Sequence, residues 1–199
     1  METTSVPGRD TEAAVDPRFV QRWSPRAFEE RPVPAADLAS VFEAARWSPS
    51  CFNEQPWLFV YGAASDDDAG RALVFDLLVE GNQAWAKRAP VLGIVFARRA
   101  FSGNDKPNRW AGFDSGLASM ALTLQAQELG LSVHFMGGFD AGRAAETLGV
   151  DGDAYEPVAA FAIGYQGDKS VLPAELQERE KPSGRKPLAE IARPAGGQR

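Results

Sequence analysis

Four short, mostly apolar runs constrain the fold of this chain more than any other feature. They read WLFVY from Trp57, VLGIVF from Val91, SVHFM from Ser132 and VAAFAIG from Val158. Their length predicts buried β-strands. Helical patterns separate the runs, and this alternation is typical of a layered domain of helices and strands. Alternation alone favours a parallel sheet, but it leaves a mixed sheet open.

Capping residues and apolar periodicity predict the helices. Asp16 and Pro17 predict a short helix that ends near Trp23, because an N-cap followed by proline is a good helix start. Pro49 should end the next helix, which starts at Pro34. Its apolar residues recur at i, i+3, i+4 and i+7: Leu38, Val41, Phe42 and Ala45. Two further predicted helices run from the acidic residues Asp66, Asp67 and Asp68 through Leu73 and Leu77, and from Ala141 to Leu148.

The strongest helical pattern follows Asp114, which we expect to be its N-cap. Gly130 stands where a C-terminal glycine belongs. We expect one apolar face to consist of Leu117, Met120, Ala121 and Leu124. The small residues Gly116, Ala118, Ser119 and Ala121 would permit the close approach of another helix.

Composition excludes several classes of function. The 199 residues fit one domain, and the net charge of −6 argues against nucleic-acid binding. No apolar run approaches the roughly 20 residues that span a bilayer. One cysteine and one histidine exclude an internal disulfide and a multi-histidine metal site. We therefore expect no metal and no membrane partner, and a cytoplasmic location. We also expect a disordered leader over 1–15, a domain over 16–192 and a disordered tail over 193–199.

Two loops have the chemistry of a binding site, although standard phosphate-loop, serine-hydrolase and zinc-protease motifs are absent. The loop from Ser48 to Trp57 has two prolines, several neutral hydrogen-bonding side chains and large apolar groups. It suits a flat aromatic ligand with polar edges, or it is simply a well-packed loop with capping residues. The irregular segment 97–113 is long enough to be functional or mobile.

Four separated segments resemble the FMN-dependent nitroreductase family. They are RWSPRAF from Arg22, SPSCFNEQPW from Ser48, GNQAWAKRAP from Gly81 and the run from Asp114 to Asp140. Two shorter segments, AIGY from Ala162 and RKPLAEI from Arg185, resemble the family as well. The resemblance implies an α+β fold with three layers, a mixed β-sheet flanked by helices. It also implies a homodimer with FMN at the interface and a C-terminal tail that extends over the partner subunit.

The implied reaction is the reduction of a small organic acceptor by NADPH or NADH through the flavin, in a ping-pong hydride transfer. The chemistry would take place on FMN, so we name no catalytic side chain. Two alternatives stay open. One is a flavin-binding protein without turnover, and the other is a dehalogenating or flavin-modifying member of the same superfamily with segment 97–113 as its lid.

The resemblance also implies the cofactor-binding residues. The flavin phosphate and ribityl chain would bind the segment that contains Arg22, Trp23, Ser24 and Arg26, together with Arg185. Arginine supplies forked, charge-assisted donors for such a phosphate. The ring would meet Asn82 and the turn of Met136, Gly137 and Gly138, whose backbone amides would lie beside the reactive edge.

The loop from Ser48 to Trp57 would reach the flavin of the other subunit. The matching residues are Pro49, Ser50, Cys51 and Asn53. Many relatives have serine at the position of Cys51, and a thiol is a weaker hydrogen-bonding group. We expect His134 to be a strand histidine rather than a catalytic one.

Overall fold

The computed structural model describes residue 6, residues 8–64 and residues 68–196. Within them, four strands form one sheet in the order β1-β2-β4-β3. The strands are β1 (Trp57–Ala63), β2 (Val91–Arg98), β3 (Ser132–Met136) and β4 (Tyr155–Gly164). All four runs that predicted strands are therefore confirmed.

The described part of the chain also contains eight α-helices. They are α1 (Pro17–Gln21), α2 (Ala35–Arg46), α3 (Ala69–Leu77), α4 (Glu80–Ala86), α5 (Ala111–Glu128), α6 (Ala141–Thr147), α7 (Ala174–Gln177) and α8 (Leu188–Ile191). Asp68 occupies the N-cap position of α3, whereas Asp66 and Asp67 lie outside the described residues. Proline at the first position of α1 and the Asp16 cap confirm the first predicted helix start.

The helices cover both faces of the sheet, because the two central strands are apolar on both sides. Leu92 and Ile94 of β2 belong to a core shared with α3, α4 and α6. Val91 and Val95 point to the opposite core, which contains α2 and α5. Alternate residues of a strand face opposite sides of a sheet, so these two cores define three layers. The α+β fold class is confirmed.

The sheet differs from expectation in its strand directions, since all three described pairings are antiparallel. The expected mixed sheet is thus corrected to an antiparallel one within the described chain. β2 and β3 do run in the same direction across α5, as a strand-helix-strand unit should. However, β4 inserts between them and pairs with both in the antiparallel sense.

The longest helix, α5, starts earlier than predicted and buries a different face. Its N-cap is Trp110, so Asp114 lies inside the first turn. The buried face contains Ala118, Leu122 and Ala126, and the expected apolar residues are only half-buried: Leu117, Met120, Ala121 and Leu124. Small residues on the buried face let α5 approach the sheet and α2 closely, which leaves the larger side chains outside. Gly130, with φ +72°, follows the helix end as predicted.

The N-terminal and C-terminal segments contact each other. Arg9 Nε donates to the carbonyl of Ser183 at 3.0 Å, and the amide of Leu188 donates to Glu12 Oε1 at 2.9 Å. The boundaries of the leader, domain and tail stay a prediction, as does extension of the tail over a partner. No helix among the described residues is long and apolar enough to cross a membrane.

Candidate functional site: a basic cavity beside the sheet edge

Six cationic side chains line one cavity of about 460 Å³. They come from three parts of the chain: Arg9, Arg22, Arg26, Arg179, Lys181 and Arg185. No carboxylate is among the described residues that line it. Ser24 and Trp23 line the cavity too. The residues expected to bind the flavin phosphate and ribityl chain therefore lie together: Arg22, Trp23, Ser24, Arg26 and Arg185.

The segment that carries Arg22 and Arg26 lies against the edge strand β3. His134 Nδ1 is 2.9 Å from the carbonyl oxygen of Pro25. Because a carbonyl oxygen can only accept, Nδ1 carries the proton and donates it. Burial lowers the pKa of His134 by more than its hydrogen bond to Pro25 raises it, and the nearby charge of Arg26 also lowers it. The imidazole is therefore neutral and fixes the arginine-bearing segment to β3. Its place in a strand confirms that part of the prediction.

Arg22 and Arg185 are close enough to repel each other. Burial, followed by the charge of Arg185, lowers the pKa of Arg22. In the described chain the only hydrogen bond of the Arg22 side chain is a long one, from Nη1 to Ser24 Oγ at 3.4 Å. Arg185 Nη1 donates to the carbonyls of Ser183 and Gly184. Like charges held together without a facing carboxylate favour binding of an anion, and a phosphate dianion fits this donor set.

Arg26 is held by a buried glutamate that no sequence motif indicates. Glu180 Oε1 accepts the backbone N–H groups of Arg26 and Ala27 at 2.6 and 2.8 Å. Its other oxygen, Oε2, lies 3.6 Å from Arg26 Nη1, as an ion pair without a hydrogen bond, and the Glu180 side chain is 3% exposed. Glu180 thus anchors the C-terminal segment to the arginine-bearing segment.

Asn82 and Gly138 contact each other, as the expected ring site requires. Asn82 lies in α4, and its Nδ2 donates to the carbonyl of Gly138 at 2.9 Å. A side chain at residue 138 would collide with Asn82 and Val79, since a Cβ there would lie 2.8 Å from atoms of both. The glycine is therefore required for this contact. Asn82 Oδ1 has no hydrogen bond within the described structure and can accept one from a ligand.

The two residues before Gly138 differ in how far they are exposed to solvent. Met136 is 4% exposed and packs in the core shared by α3, α4 and α6, so only its backbone can face a ligand. Gly137 is exposed and its Cβ position is open. The predicted backbone contact of Gly137 with the flavin stays a prediction.

The loop after α2 has an unusual backbone. Phe52, Asn53 and Gln55 have φ values of 54°, 59° and 48°, in the left-handed region that non-glycine residues rarely adopt. Gln55 donates its backbone N–H to Ser50 Oγ at 2.9 Å. Cys51 donates its backbone N–H to Asp114 Oδ2 at 3.0 Å. One hydrogen bond within the loop and one to α5 therefore hold this loop in a conformation that costs free energy.

This loop lies far from the basic cavity within one chain. Cys51 is bound to Asp114 in the first turn of α5, whereas Arg22 and Trp23 share a smaller cavity with Thr123 and Gln127 near its C-terminal end. At 1.5 Å per residue, the axial separation along α5 is roughly 14 to 20 Å. The structure therefore does not bring Pro49, Ser50, Cys51 and Asn53 together with Arg22 in one subunit.

The segment between β2 and α5 contacts the strained loop. Ser102 donates its backbone N–H and its hydroxyl to the Glu54 carboxylate at 2.9 and 3.0 Å. The rings of Phe52 and Phe101 meet edge to face with centroids 6.0 Å apart. Both rings line a separate cavity of about 420 Å³ with Lys106. These contacts join the candidate lid to the loop that is expected to reach the flavin.

Known proteins resemble this chain in sequence and in fold. A curated relative from Mycolicibacterium smegmatis, the uncharacterized 15.4 kDa protein in the ask 5′ region, is 34% identical over 132 residues, which are 66% of this chain and 86% of the relative. A solved structure described as an oxidoreductase containing FMN is 43% identical, with a TM-score of 0.89, and the match covers 96% of this chain and 97% of the other. A nitroreductase family protein from Streptococcus pneumoniae shares the fold, with 21% identity, a TM-score of 0.71 and 89% and 98% coverage.

A family model matches most of the chain. The model is that of the Nitroreductase family, and it matches residues 19–69 and 62–165. These residues include the arginine-bearing segment, the strained loop, Asn82 and the glycine turn. By this match and by its three-layer fold, the chain belongs to the Nitroreductase family.

Proposed function

We propose that this protein binds FMN and is an oxidoreductase that reduces a small organic acceptor with NADPH or NADH. The observation that carries the proposal is the cluster of cationic side chains around the basic cavity, without a lining carboxylate in the described chain. The 43% identical solved structure is described as containing FMN, and this supports the choice of anion. The bound FMN would supply the hydride chemistry between reductant and acceptor.

The chain's own residues would bind and orient the cofactor. Arg22, Arg26 and Arg185 would donate to the phosphate, and Ser24 would supply a hydroxyl. Asn82 would present its free Oδ1 to a donor at the ring edge, because its amide nitrogen is already bound to Gly138. Backbone N–H groups around Gly137 would stabilise negative charge on the ring. None of these roles requires a side-chain acid or base.

The separation along α5 supports a site shared between two chains. A ligand that contacts both Arg22 and Asn53 has to bridge the roughly 14 to 20 Å between the ends of α5. A two-fold pairing with antiparallel α5 helices would bring the loop of one chain to the basic cavity of the other. The outward face of α5 suits such a contact, since Phe113 is 65% exposed and Leu117, Met120 and Leu124 are half-buried.

Two measurements test the proposal. The visible spectrum of the purified protein should show bound flavin, with an absorption maximum at about 450 nm. Anaerobic addition of NADPH, and separately of NADH, should bleach that band. A colourless protein that takes up no added FMN contradicts the proposal, whereas a bound flavin that neither nicotinamide reduces supports a flavin-binding protein without turnover.

The contact between Ser102 and Glu54 favours the lid alternative as a second candidate. The segment that follows β2 is bound to the strained loop and shares a cavity with it. A dehalogenating or flavin-modifying activity would use such a lid over the ring. Assays with halogenated aromatic acceptors, and mass analysis of the flavin after turnover, distinguish this activity from simple acceptor reduction. A cytoplasmic location stays a prediction.

A further inference from the structure

We propose that Arg9 is part of the phosphate site, where its guanidinium positions Arg22 and the C-terminal segment and also donates from Nη2 to the bound phosphate. This inference rests on the proposed function, because the phosphate is that of FMN. It gives the N-terminal segment, which the sequence marks only as a leader, a role in cofactor recognition.

The contacts of Arg9 join three segments of the chain. Its Nη1 donates to the carbonyls of Val20 and Arg22 at 2.6 and 2.5 Å. Its Nε donates to the carbonyl of Ser183 at 3.0 Å, and the same carbonyl accepts from Arg185 Nη1 at 3.1 Å. Arg9 is therefore bonded to the backbone of one predicted phosphate ligand and shares a hydrogen-bond acceptor with another.

The Arg9 side chain is buried among other cations. The residue is 8% exposed, and no carboxylate of the described chain forms an ion pair with it. Burial lowers its pKa, and the charges of Arg185 and Arg22 lower it further. A buried cation next to two other cations is unfavourable unless an anion binds among them.

One edge of the guanidinium remains free for that anion. Nε and Nη1 are occupied by carbonyls, whereas Nη2 has no hydrogen-bond partner in the part of the chain described. Arg9 lines the basic cavity alongside Arg22, Ser24 and Arg185. A phosphate in this cavity would give Nη2 an acceptor and would neutralise the clustered charge.

Lysine cannot replace this residue fully. Nε and Nη1 bind three backbone carbonyls while Nη2 stays available for the phosphate, and this division uses the planar fork that only arginine has. An ammonium group would keep the charge but lose most of the backbone contacts. The geometry therefore predicts graded effects for Arg9→Lys and Arg9→Met.

The test measures the affinity of purified apoprotein for FMN and for riboflavin, which lacks the phosphate. For Arg9→Met we expect a loss of about 10- to 100-fold in FMN affinity, the size of a lost charge-assisted hydrogen bond, and less than about a 3-fold change for riboflavin. Arg9→Lys should lie between wild type and Arg9→Met. Arg46→Met is the matched control, because it also removes one arginine charge, and Arg46 pairs with Glu43 outside the basic cavity.

The outcomes separate this inference from the proposed function. Equal losses for FMN and riboflavin, or unchanged FMN affinity in Arg9→Met, overturn the role of Arg9 at the phosphate. A second probe, thermal stabilisation by inorganic phosphate at constant ionic strength, does not need the flavin. If wild type binds no FMN but phosphate stabilises it and not Arg9→Met, the anion site stands while the proposed function fails. If phosphate stabilises both proteins equally, the assignment of Arg9 fails.

Discussion

The carboxylate of Asp114 accepts the backbone N–H of Cys51 at 3.0 Å, across 63 residues of sequence. Asp114 has the sequence pattern of an N-cap, but α5 starts three residues earlier, at Ala111. The buried carboxylate therefore caps the loop after α2 instead of its own helix. It fixes the loop that is expected to reach the flavin of the partner.

Replacing Asp114 by alanine should release this loop. Asp114 is 3% exposed, so the change leaves the Cys51 N–H without its partner, and we expect the free energy of unfolding to fall by about 1 to 3 kcal/mol. Urea denaturation measures this. Asp114→Asn keeps an acceptor oxygen and should lose less. Equal stability of the alanine variant and wild type would show that the hydrogen bond contributes nothing.

Removing two arginines of the basic cavity should abolish flavin binding. Arg22→Ala and Arg26→Ala together remove two of the cations that line it, so we expect the double variant to purify without its yellow colour. Flavin occupancy is read from the ratio of visible to protein absorbance. Arg46→Ala is a suitable control, because Arg46 pairs with Glu43 on the surface. Full occupancy in the double variant would refute the phosphate assignment.

A mixture of two defective variants should recover flavin binding if the site is shared. Arg22→Ala damages the basic cavity, and Asn53→Gly removes the loop side chain while keeping a residue that tolerates φ 59°. In heterodimers one site carries both changes and the other carries none. After unfolding and refolding together, about a quarter of all sites should be intact. Occupancy no higher than the mean of the two separate variants would contradict the shared site.

The fold was largely predictable because it depends on local patterns. The run from Val91 to Phe96 is buried on both faces, and its length and apolar composition are visible in the sequence. The strand directions were not predictable, since nothing local shows that β4 inserts between β2 and β3. The buried face of α5 was missed for a related reason. Its outward face is equally apolar, so periodicity alone does not identify which side meets the sheet.

The candidate site was predictable only where its residues belong to a sequence motif. Arg22, Ser24 and Arg26 lie within one segment, and their resemblance to the family located them. Arg9 and Glu180 lie in polar terminal segments whose composition resembles solvated chain. Only tertiary contacts over 154 residues connect Glu180 to Arg26, and no local pattern encodes such a pairing.

Relieving the backbone strain at Phe52 should stabilise the protein. It should also reveal whether the phenyl ring is kept for function. Phe52 is 88% exposed and has φ 54°, so folding gains little from its side chain. Asparagine tolerates the left-handed conformation, and we expect Phe52→Asn to raise the free energy of unfolding by about 1 kcal/mol. The free energy of unfolding, measured by urea denaturation, should rise, whereas the rate of acceptor reduction should fall if the ring is kept for function. A loss of stability would show that the contact with Phe101 outweighs the strain.

The pH dependence of stability between pH 7 and pH 5 should report on His134. It is the only histidine in the sequence, and burial lowers its pKa in the folded state. The unfolded chain, with an ordinary value of about 6.5, then binds a proton that the folded chain does not. Stability contributed by the neutral imidazole is therefore complete above about pH 6.5 and is lost as the pH falls below it, with a limiting slope of about 1.4 kcal/mol per pH unit.

The variant His134→Gln should remove this slope, because glutamine does not titrate and still carries an N–H donor for the Pro25 carbonyl. The lowered carboxyl pKa values of Asp16 and Glu43, each about 2, belong to a separate loss of stability at lower pH. Measuring the free energy of unfolding for both proteins at intervals from pH 7.5 to pH 5 isolates the histidine. We expect the two curves to converge as the pH falls, since wild type loses stability and the variant does not. Parallel curves over this range would show that His134 can take up a proton within the folded protein, so that the neutral imidazole is not what holds the arginine-bearing segment against β3.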